Sequence, residues 1–286
     1  MFQDLRNPDI ICPVCGGDEP KICRRQVGNY SFLSCRKCFF DFIYPSVESD
    51  EAFDNYYWTS DYTDRFERYT RVTLDSLKKK LTDVEEIIGR KAGSFLDVGC
   101  GNGLYLRAAD ELGIENLGID IDRVNIEFAK KMGLNALAGN LEDLSLDDRY
   151  DFIHLKSVLH LVKDPFRFFM KAKSLLSPGG VVFIDVPNQG SVFSRLRMIR
   201  DRTRYGQLEL PLRRGAFNYR CLAYLCERAG LRIVKRVFIY PGDRVYYPIL
   251  GKNRIYLAVF RLFAALRISS LIGIYAVSSN ANHHES

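Results

Sequence analysis

Three glycines at alternate positions follow a short apolar run and an aspartate in the segment FLDVGCGNG, residues 95–103. Gly99, Gly101 and Gly103 favour a turn in which the backbone comes close to a bound ligand, because no side chain intervenes. Their spacing is G-x-G-x-G, which differs from the G-x-G-x-x-G of the dinucleotide-binding fingerprint. Asp97 precedes the first glycine by two residues, where a fixed carboxylate would be poorly placed beside a pyrophosphate. The pattern therefore favours a ligand that carries positive charge and no phosphate.

A second carboxylate, Asp120, lies in the segment LGIDID at residues 117–122. At the end of the next predicted strand, a carboxylate can accept hydrogen bonds from both ribose hydroxyls of a nucleoside. A nucleoside with an ammonium or sulfonium group would suit Asp97 as well, and S-adenosylmethionine has both groups and no phosphate. The alternative is that the glycines form a tight turn that binds no ligand.

Four cysteines near the N-terminus have the spacing C-x2-C-x19-C-x2-C. Two such pairs can place four thiolates around one tetrahedral Zn²⁺. Cysteine would fill every position, which leaves none open for catalysis and predicts a structural metal. The predicted ligands are Cys12, Cys15, Cys35 and Cys38. The alternative, four buried thiols, is disfavoured because the paired spacing is not a packing periodicity, whereas Cys23, Cys221 and Cys226 are expected to be core thiols.

His160, in the segment SVLHLVKDP, is the candidate general base. Histidine titrates near neutral pH and can accept a proton from an attacking hydroxyl. The alternative is a structural hydrogen-bond donor or a helix cap. His154 lies in the middle of a predicted strand, YDFIHLK, and is expected to be a packed, hydrogen-bonded core residue.

Strands and helices must alternate to place these residues together. From residue 94 to 187 the strand candidates are SFLDVG, NLGIDI, LNALAG, YDFIHLKS and GVVFIDVP, and amphipathic helical segments lie between them. This alternation predicts an α/β fold with a doubly wound, mostly parallel sheet covered by helices on both faces. Ligands bind at the carboxyl ends of the strands in such sheets, which is where the glycine segment falls.

The chain has 286 residues, a net charge of +6 and 47% hydrophobic residues, a composition that is typical of globular proteins. Its first residues, MFQDLRNPDI, lack the features of a signal peptide, so we expect reduced cysteines and a cytoplasmic location. The sequence divides into a predicted zinc ribbon at 1–45, a helical cap or linker at 46–92, a ligand-binding domain at 93–240 and an apolar, basic tail at 241–286.

Five segments in this order, DVGCGNG, GID, AGNLEDL, SVLHLVKDP and LLSPGGVVFIDVPN, resemble the class I S-adenosylmethionine-dependent methyltransferases over roughly residues 93–240. The resemblance implies a Rossmann-like sheet of seven strands, preceded by the small ribbon and followed by a helical tail. It also implies that Asp97 and the three glycines surround the methionine part of the cofactor and that Asp120 binds the ribose. The remaining implied contacts are Ile121 on the adenine, Asn140 and Leu141 at its edge, and Tyr57 from the aromatic segment before the sheet.

The chain differs from relatives that have a V-L-H-H or V-L-E-H run, because Leu161 replaces the final histidine. The Glu-His version is associated with a divalent metal in some quinone-precursor enzymes, so no catalytic metal is expected here. The ribbon resembles that of bacterial methyltransferases linked to polysaccharide or natural-product pathways. This favours O-methylation of a small or carrier-linked acceptor, such as a sugar. The alternatives are an RNA methyltransferase and a non-catalytic protein that binds S-adenosylmethionine or a partner.

Between Arg195 and Arg214, seven arginines oppose Asp201 and Glu209, a local balance of 7 − 2 = +5. Arginines suit anionic acceptors or a membrane surface, and the alternative is a solvated charged helix. The tail could be an interfacial helix at the inner membrane face, or could pack on the body or on a second subunit. Nucleic acid is a less favoured partner, because the ribbon has little of the basic clustering that phosphate binding favours.

Overall fold

Two β-sheets and five helices make up the part of the chain that the computed structural model describes, namely residues 3–5, 10–19, 21–27, 29–46, 62–191, 214–239 and 271–279. The strands are β1 (Gln3–Leu5), β2 (Lys21–Val27), β3 (Tyr30–Cys35), β4 (Asp41–Tyr44), β5 (Ser94–Val98), β6 (Glu115–Asp120), β7 (Ala136–Ala138), β8 (Tyr150–Lys156), β9 (Leu176–Pro187), β10 (Gly215–Ala216), β11 (Leu231–Ile239) and β12 (Leu271–Ser278). The helices are α1 (Tyr62–Ile88), α2 (Leu104–Glu111), α3 (Arg123–Lys131), α4 (Pro165–Ser174) and α5 (Tyr219–Arg228).

The larger sheet has seven strands in the order β11-β12-β9-β8-β5-β6-β7. Only β12 runs against its neighbours, β9 and β11, and the other six strands are parallel. From β5 the chain proceeds outward through β6 and β7, then returns to place β8 on the other side of β5. The crevice at this reversal is the usual ligand site of open α/β sheets. The expected mostly parallel, Rossmann-like sheet is confirmed.

One part of the expected fold is wrong. The sequence predicts a helical tail that includes residues 271–278, but these residues form β12, which pairs with β9 and β11 inside the sheet. Its sequence, LIGIYAVS, is buried from Leu271 to Val277. A short, continuous apolar run is compatible with either a buried helix or a buried strand, so periodicity alone does not distinguish the two. The rest of the tail, residues 241–270 and 280–286, lies outside the described residues, as does any interfacial helix there.

Helix α1 covers one end of the sheet and packs beside α2. Its buried side chains Leu77, Leu81 and Val84 recur at helical spacing and join a hydrophobic cluster with residues of β5 and β9. Asp83 accepts hydrogen bonds from Lys235 at 2.5 Å and from the Tyr275 hydroxyl at 2.7 Å. These contacts attach α1 to β11 and β12, so the helix has a fixed position above the sheet.

The smaller sheet has the order β1-β2-β3-β4-β10, and its last strand lies in sequence between β9 and β11 of the larger sheet. Gly215 and Ala216 of β10 pair with β4, and the ring of Phe217 lies 4.8 Å from that of Phe40. The Arg228 guanidinium donates to the carbonyl of Val14. The ribbon therefore shares one continuous hydrophobic core with the larger sheet. In the described ranges, no helix has the length and apolar character needed to cross a bilayer.

Candidate cofactor-binding site and metal centre

The glycine turn follows β5 directly and leads into α2. Gly99, Gly101 and Gly103 have φ values of 78°, 54° and 83°, in the left-handed region that favours glycine. A Cβ on Gly103 would lie 2.6 Å from Leu134 Cδ1, whereas a Cβ on Gly101 would meet nothing within 4 Å. Gly103 thus permits close packing of α2, while Gly101 borders open space.

Asp97 is buried in β5 and lies against His154 of the neighbouring strand β8. The Nδ1 atom of His154 is 2.8 Å from Oδ1 of Asp97. Burial lowers the pKa of His154, although the Asp97 carboxylate acts in the opposite direction. A neutral imidazole in this contact must donate its Nδ1–H to the carboxylate. His154 is therefore a hydrogen-bonded core residue, as expected, and its partner is the predicted cofactor-binding carboxylate.

A small recess, partly open to solvent, lies beside the glycine turn. Asp97, Gly99 and Asn102 contribute to one side, and Thr73 of α1 and Lys156 of β8 also line it. Neither Thr73 nor Lys156 is among the residues predicted from the sequence. Lys156 ends a predicted strand, which is a signal that could have been used, whereas nothing in the pattern of α1 marks Thr73.

Tyr105, on α2, forms another wall of this recess. Its hydroxyl lies 3.1 Å from the Ser76 hydroxyl and accepts a hydrogen bond from Lys80 at 3.3 Å. The ammonium of Lys156 lies 4.8 Å from the centre of the tyrosine ring. Burial opposes ionisation of Tyr105, but the charges of Lys156 and Lys80 outweigh it and leave the pKa of Tyr105 below its ordinary value. Two ammonium groups therefore lie close to Tyr105 at this wall.

Asp120 ends β6 and is fixed against the glycine turn. Its carboxylate accepts hydrogen bonds from the backbone N–H of Gly101 at 2.7 Å and of Asp122 at 2.9 Å. Burial raises the pKa of Asp120 above its usual value, although these two donors act against that effect. The structure thus brings Asp97, the glycines and Asp120 to one edge of the sheet.

The predicted adenine contacts follow β6 and β7 along the same edge. Ile121 is 48% exposed and available to a ligand. Asn140 is half-buried, and its Oδ1 accepts the backbone N–H of Glu142 at 3.3 Å. The side chain of Leu141 is buried in the core, which leaves only its main chain for the predicted contact. Tyr57 lies outside the described residues.

His160 is buried in the loop between β8 and α4. Its carbonyl accepts the backbone N–H groups of Arg214 and Gly215, each at 3.2 Å. The N-cap of α4 is Asp164, whose side chain accepts the N–H of Arg167, so His160 is not a helix cap. Because Gly215 belongs to β10, the loop of the candidate base is connected to the smaller sheet. The arginine-rich segment before Arg214 lies outside the described residues.

Four thiols converge at the centre of the smaller sheet. Their sulfur atoms lie within 4.8 Å of one another, with 3.5 Å between those of Cys12 and Cys38 and 3.6 Å between those of Cys15 and Cys35. Zn–S bonds of about 2.3 Å in a tetrahedron separate the sulfurs by about 3.8 Å, so the arrangement fits a Zn²⁺ ion. Hydrogen bonds with Cys35 and Cys38 raise the pKa of Cys12 far above its usual range, a strain that a bound cation would relieve.

Helix α5 contains two further cysteines, which are not part of this set of four. Cys221 and Cys226 are buried, as expected for core thiols. Burial raises the pKa of both, and Cys221 is also in hydrogen-bond contact with Cys38. Helix α5 therefore packs directly on the candidate metal centre.

Residues 63–236 match the family model described as a methyltransferase domain. The match covers more than half of the chain, and the chain belongs to this family. With its seven-stranded sheet and glycine turn, it has the fold of a class I methyltransferase.

Two named relatives are ubiquinone biosynthesis O-methyltransferases. The one from Coxiella burnetii is 32% identical over 117 residues, which cover 38% of this chain and 50% of the relative. The one from Mesorhizobium japonicum is 35% identical over 105 residues, which cover 33% and 41%. The chain spans about half the length of the curated relatives it matches.

Solved structures of methyltransferases have the same fold. The plantazolicin methyltransferase BamL, in complex with a triazolic desmethylPZN analogue and SAH, matches with a TM-score of 0.53 at 19% identity, over 76% of this chain and 89% of that one. A SAM-dependent methyltransferase from Archaeoglobus fulgidus matches with a TM-score of 0.50 at 20% identity, over 76% of this chain and 100% of that one.

Proposed function

We propose that the protein is an S-adenosylmethionine-dependent methyltransferase. The observation that carries this proposal is the glycine turn at the reversal of the sheet, with buried Asp97 before it and Asp120 held against Gly101. This arrangement suits a nucleoside with a positive charge and no phosphate. The neighbours that bind SAH and the matched methyltransferase family support the same cofactor.

The residues at this edge of the sheet have distinct proposed roles. Asp97 binds the ammonium group, Asp120 binds the ribose hydroxyls, and Gly101 lets the backbone approach the ligand. S-adenosylmethionine supplies a methyl group on a sulfonium, which is already an excellent leaving group. The protein must then align the acceptor and exclude water, and good alignment is worth about 7–11 kcal/mol.

We propose oxygen as the methylated atom, because both named relatives are O-methyltransferases. The acceptor is a small or carrier-linked molecule, and the resemblance of the ribbon favours a sugar hydroxyl. The names of the relatives do not indicate a sugar, so this choice depends on the ribbon alone. His160 is the proposed base that removes the hydroxyl proton. The comparisons give no support to the RNA or non-catalytic alternatives.

We also propose that Cys12, Cys15, Cys35 and Cys38 bind one structural Zn²⁺. The close approach of the four sulfur atoms supports it, and the set offers no open coordination position for a substrate. Elemental analysis of the purified protein should give one zinc per chain, and a Cys35→Ser variant should give much less. Equal zinc in both proteins would contradict this assignment.

Calorimetry with S-adenosylmethionine and with NAD tests the cofactor. We expect heat only with S-adenosylmethionine and much weaker binding to an Asp97→Asn variant. An Asp110→Asn variant, altered on α2 but outside the lining of the recess, is the matched control. Transfer of labelled methyl groups into a cell extract would then identify the acceptor. Binding of NAD without binding of S-adenosylmethionine would overturn the assignment.

A further inference from the structure

Helix α5 lies in sequence between strands of the larger sheet, yet its N-terminus is fixed to the second pair of predicted zinc ligands. The side chain of Asn218 caps the helix by accepting the backbone N–H of Cys221 at 3.0 Å. The same side chain donates a hydrogen bond to the carbonyl of Phe39 at 2.9 Å. Because Phe39 directly follows Cys38, this contact places the first turn of α5 beside a predicted metal ligand.

The C-terminal end of the same helix contacts the first pair of predicted ligands. The guanidinium of Arg228 donates to the carbonyl of Val14, which lies between Cys12 and Cys15. Its central carbon also lies 3.5 Å from the centre of the Phe166 ring, which holds the side chain in place. Helix α5 is thus attached to the candidate metal centre at both of its ends.

The first turn of α5 carries a fifth thiol to this centre. Cys221 is fully buried, and its thiol lies within hydrogen-bonding reach of that of Cys38. Both residues belong to the hydrophobic core that the ribbon shares with the larger sheet. Cys221 is not among the four cysteines whose sulfur atoms all lie within 4.8 Å of one another. It therefore lies beside the predicted set of ligands rather than within it.

A buried zinc–thiolate centre needs groups that offset its charge. Four thiolates and one Zn²⁺ ion together carry a net negative charge, and all four predicted ligands are buried. Such a charge is costly unless hydrogen bonds or positive charge compensate it. The backbone N–H of Gly17 already donates to the sulfur of Cys15 at 3.4 Å. On the other side, the first turn of α5, which has the partial positive charge of a helix N-terminus, contacts Cys38.

We propose that Cys221 donates its S–H to the thiolate of Cys38 and thereby strengthens zinc binding without coordinating the ion itself. This inference rests on the proposed structural Zn²⁺. A thiolate has no proton to give, so Cys221 must be the donor in this contact when Cys38 binds a cation. Groups that hydrogen-bond to metal ligands orient them and adjust their basicity, and loss of such a group typically lowers metal affinity about 10- to 100-fold. The methyltransferase domain thus contributes a side chain to metal binding by the ribbon.

The test measures the zinc affinity of the full chain by competition with a chromophoric chelator. Cys221→Ala should bind zinc about 10-fold more weakly than the wild type, because the donor is lost. Cys221→Ser should bind it nearly as tightly, since a hydroxyl is also a donor. Cys226→Ala is the matched control, because Cys226 lies on the same helix, is 1% exposed and is outside the metal cluster. Melting temperatures show whether each variant is folded, and Cys221→Val replaces Cys221→Ala if the latter is not.

Replacement of Zn²⁺ by Co²⁺ separates loss of a hydrogen bond from a general loss of packing. Without its donor, the Cys38 thiolate is more electron-rich, so the thiolate-to-cobalt charge-transfer band should move to longer wavelength in Cys221→Ala. The band should stay in place in Cys221→Ser and in Cys226→Ala. A loss of intensity in Cys221→Ala as large as that in Cys35→Ser would show that Cys221 is itself a ligand and would overturn the proposal.

Wild-type zinc affinity together with an unchanged cobalt band in Cys221→Ala would overturn the role of Cys221 while leaving the zinc assignment intact. An equal loss of affinity in Cys221→Ala and Cys226→Ala would overturn it as well, because packing alone would then account for the effect. If the wild type bound no zinc, the proposed metal centre would fail, and this inference with it.

Discussion

The Nδ1 atom of His154 lies 2.8 Å from a carboxylate oxygen of Asp97, and both side chains are buried. This contact uses one oxygen of Asp97 and leaves the other available to a ligand. Four aromatic rings, those of Phe95, Tyr105, Phe152 and Phe183, surround the imidazole within 6 Å between ring centres. The ring is therefore held in one orientation, and the carboxylate with it.

The free energy of unfolding should depend on pH because His154 titrates differently in the folded and unfolded protein. Burial lowers its pKa below the ordinary value of 6.5, so the folded protein binds fewer protons there than the unfolded chain. The stabilisation is fully present above about pH 6.5 and is lost as the pH falls from there toward the folded pKa, by up to about 1.4 kcal/mol per pH unit. Urea denaturation at several pH values measures this slope. His154→Asn, which keeps a donor for Asp97 but does not titrate, should have a shallower slope; equal slopes would contradict the assignment.

Gly101→Ala should weaken cofactor binding. Its φ is 54°, its N–H donates to Asp120, and the added methyl would enter open space rather than meet protein atoms. Gly113→Ala is the matched control, because its φ is 67° and its added methyl also meets nothing within 4 Å. Both changes should cost about 1 kcal/mol of unfolding free energy. Only Gly101→Ala should raise the dissociation constant of S-adenosylmethionine, and a similar increase in both variants would show that backbone strain alone is responsible.

His160→Gln should slow O-methylation by about 10²- to 10⁴-fold without changing cofactor affinity, because glutamine can hydrogen-bond but cannot accept a proton near neutral pH. Single-turnover rates with labelled cofactor provide the measurement once an acceptor is known. Retention of the wild-type rate in His160→Gln would exclude His160 as the base.

Removal of zinc should affect the loop of His160 as well as the ribbon. Strand β10 pairs with β4 of the smaller sheet, and its Gly215 N–H donates to the His160 carbonyl at 3.2 Å. Chelation, or Cys38→Ser, should therefore speed hydrogen exchange at residues 214–217 and lower the melting temperature. Cys226→Ser is the control, since this buried cysteine lies outside the metal cluster. Faster exchange confined to the ribbon would show that the two parts are not coupled.

The sequence predicted the elements that have a strong local pattern. The glycine turn, the parallel strands and the convergence of four cysteines were all expected, because period, turn chemistry and paired spacing are local signals. Lys156 and Thr73 were missed, since their meeting in the recess depends on how α1 packs on the larger sheet. The pairing of β10 with the ribbon was missed for the same reason. Strand β12 was misassigned because an apolar run does not specify its partners.

The position of β12 also has a consequence for how the protein is made. Residues 271–278 fill the gap between β9 and β11, so a nascent chain on the ribosome leaves both of these strands with open edges until this segment has emerged. Exposed apolar edges can pair with other chains and aggregate. The larger sheet therefore cannot be completed before residues 271–278 have been synthesised, and until then β9 and β11 can pair with other chains.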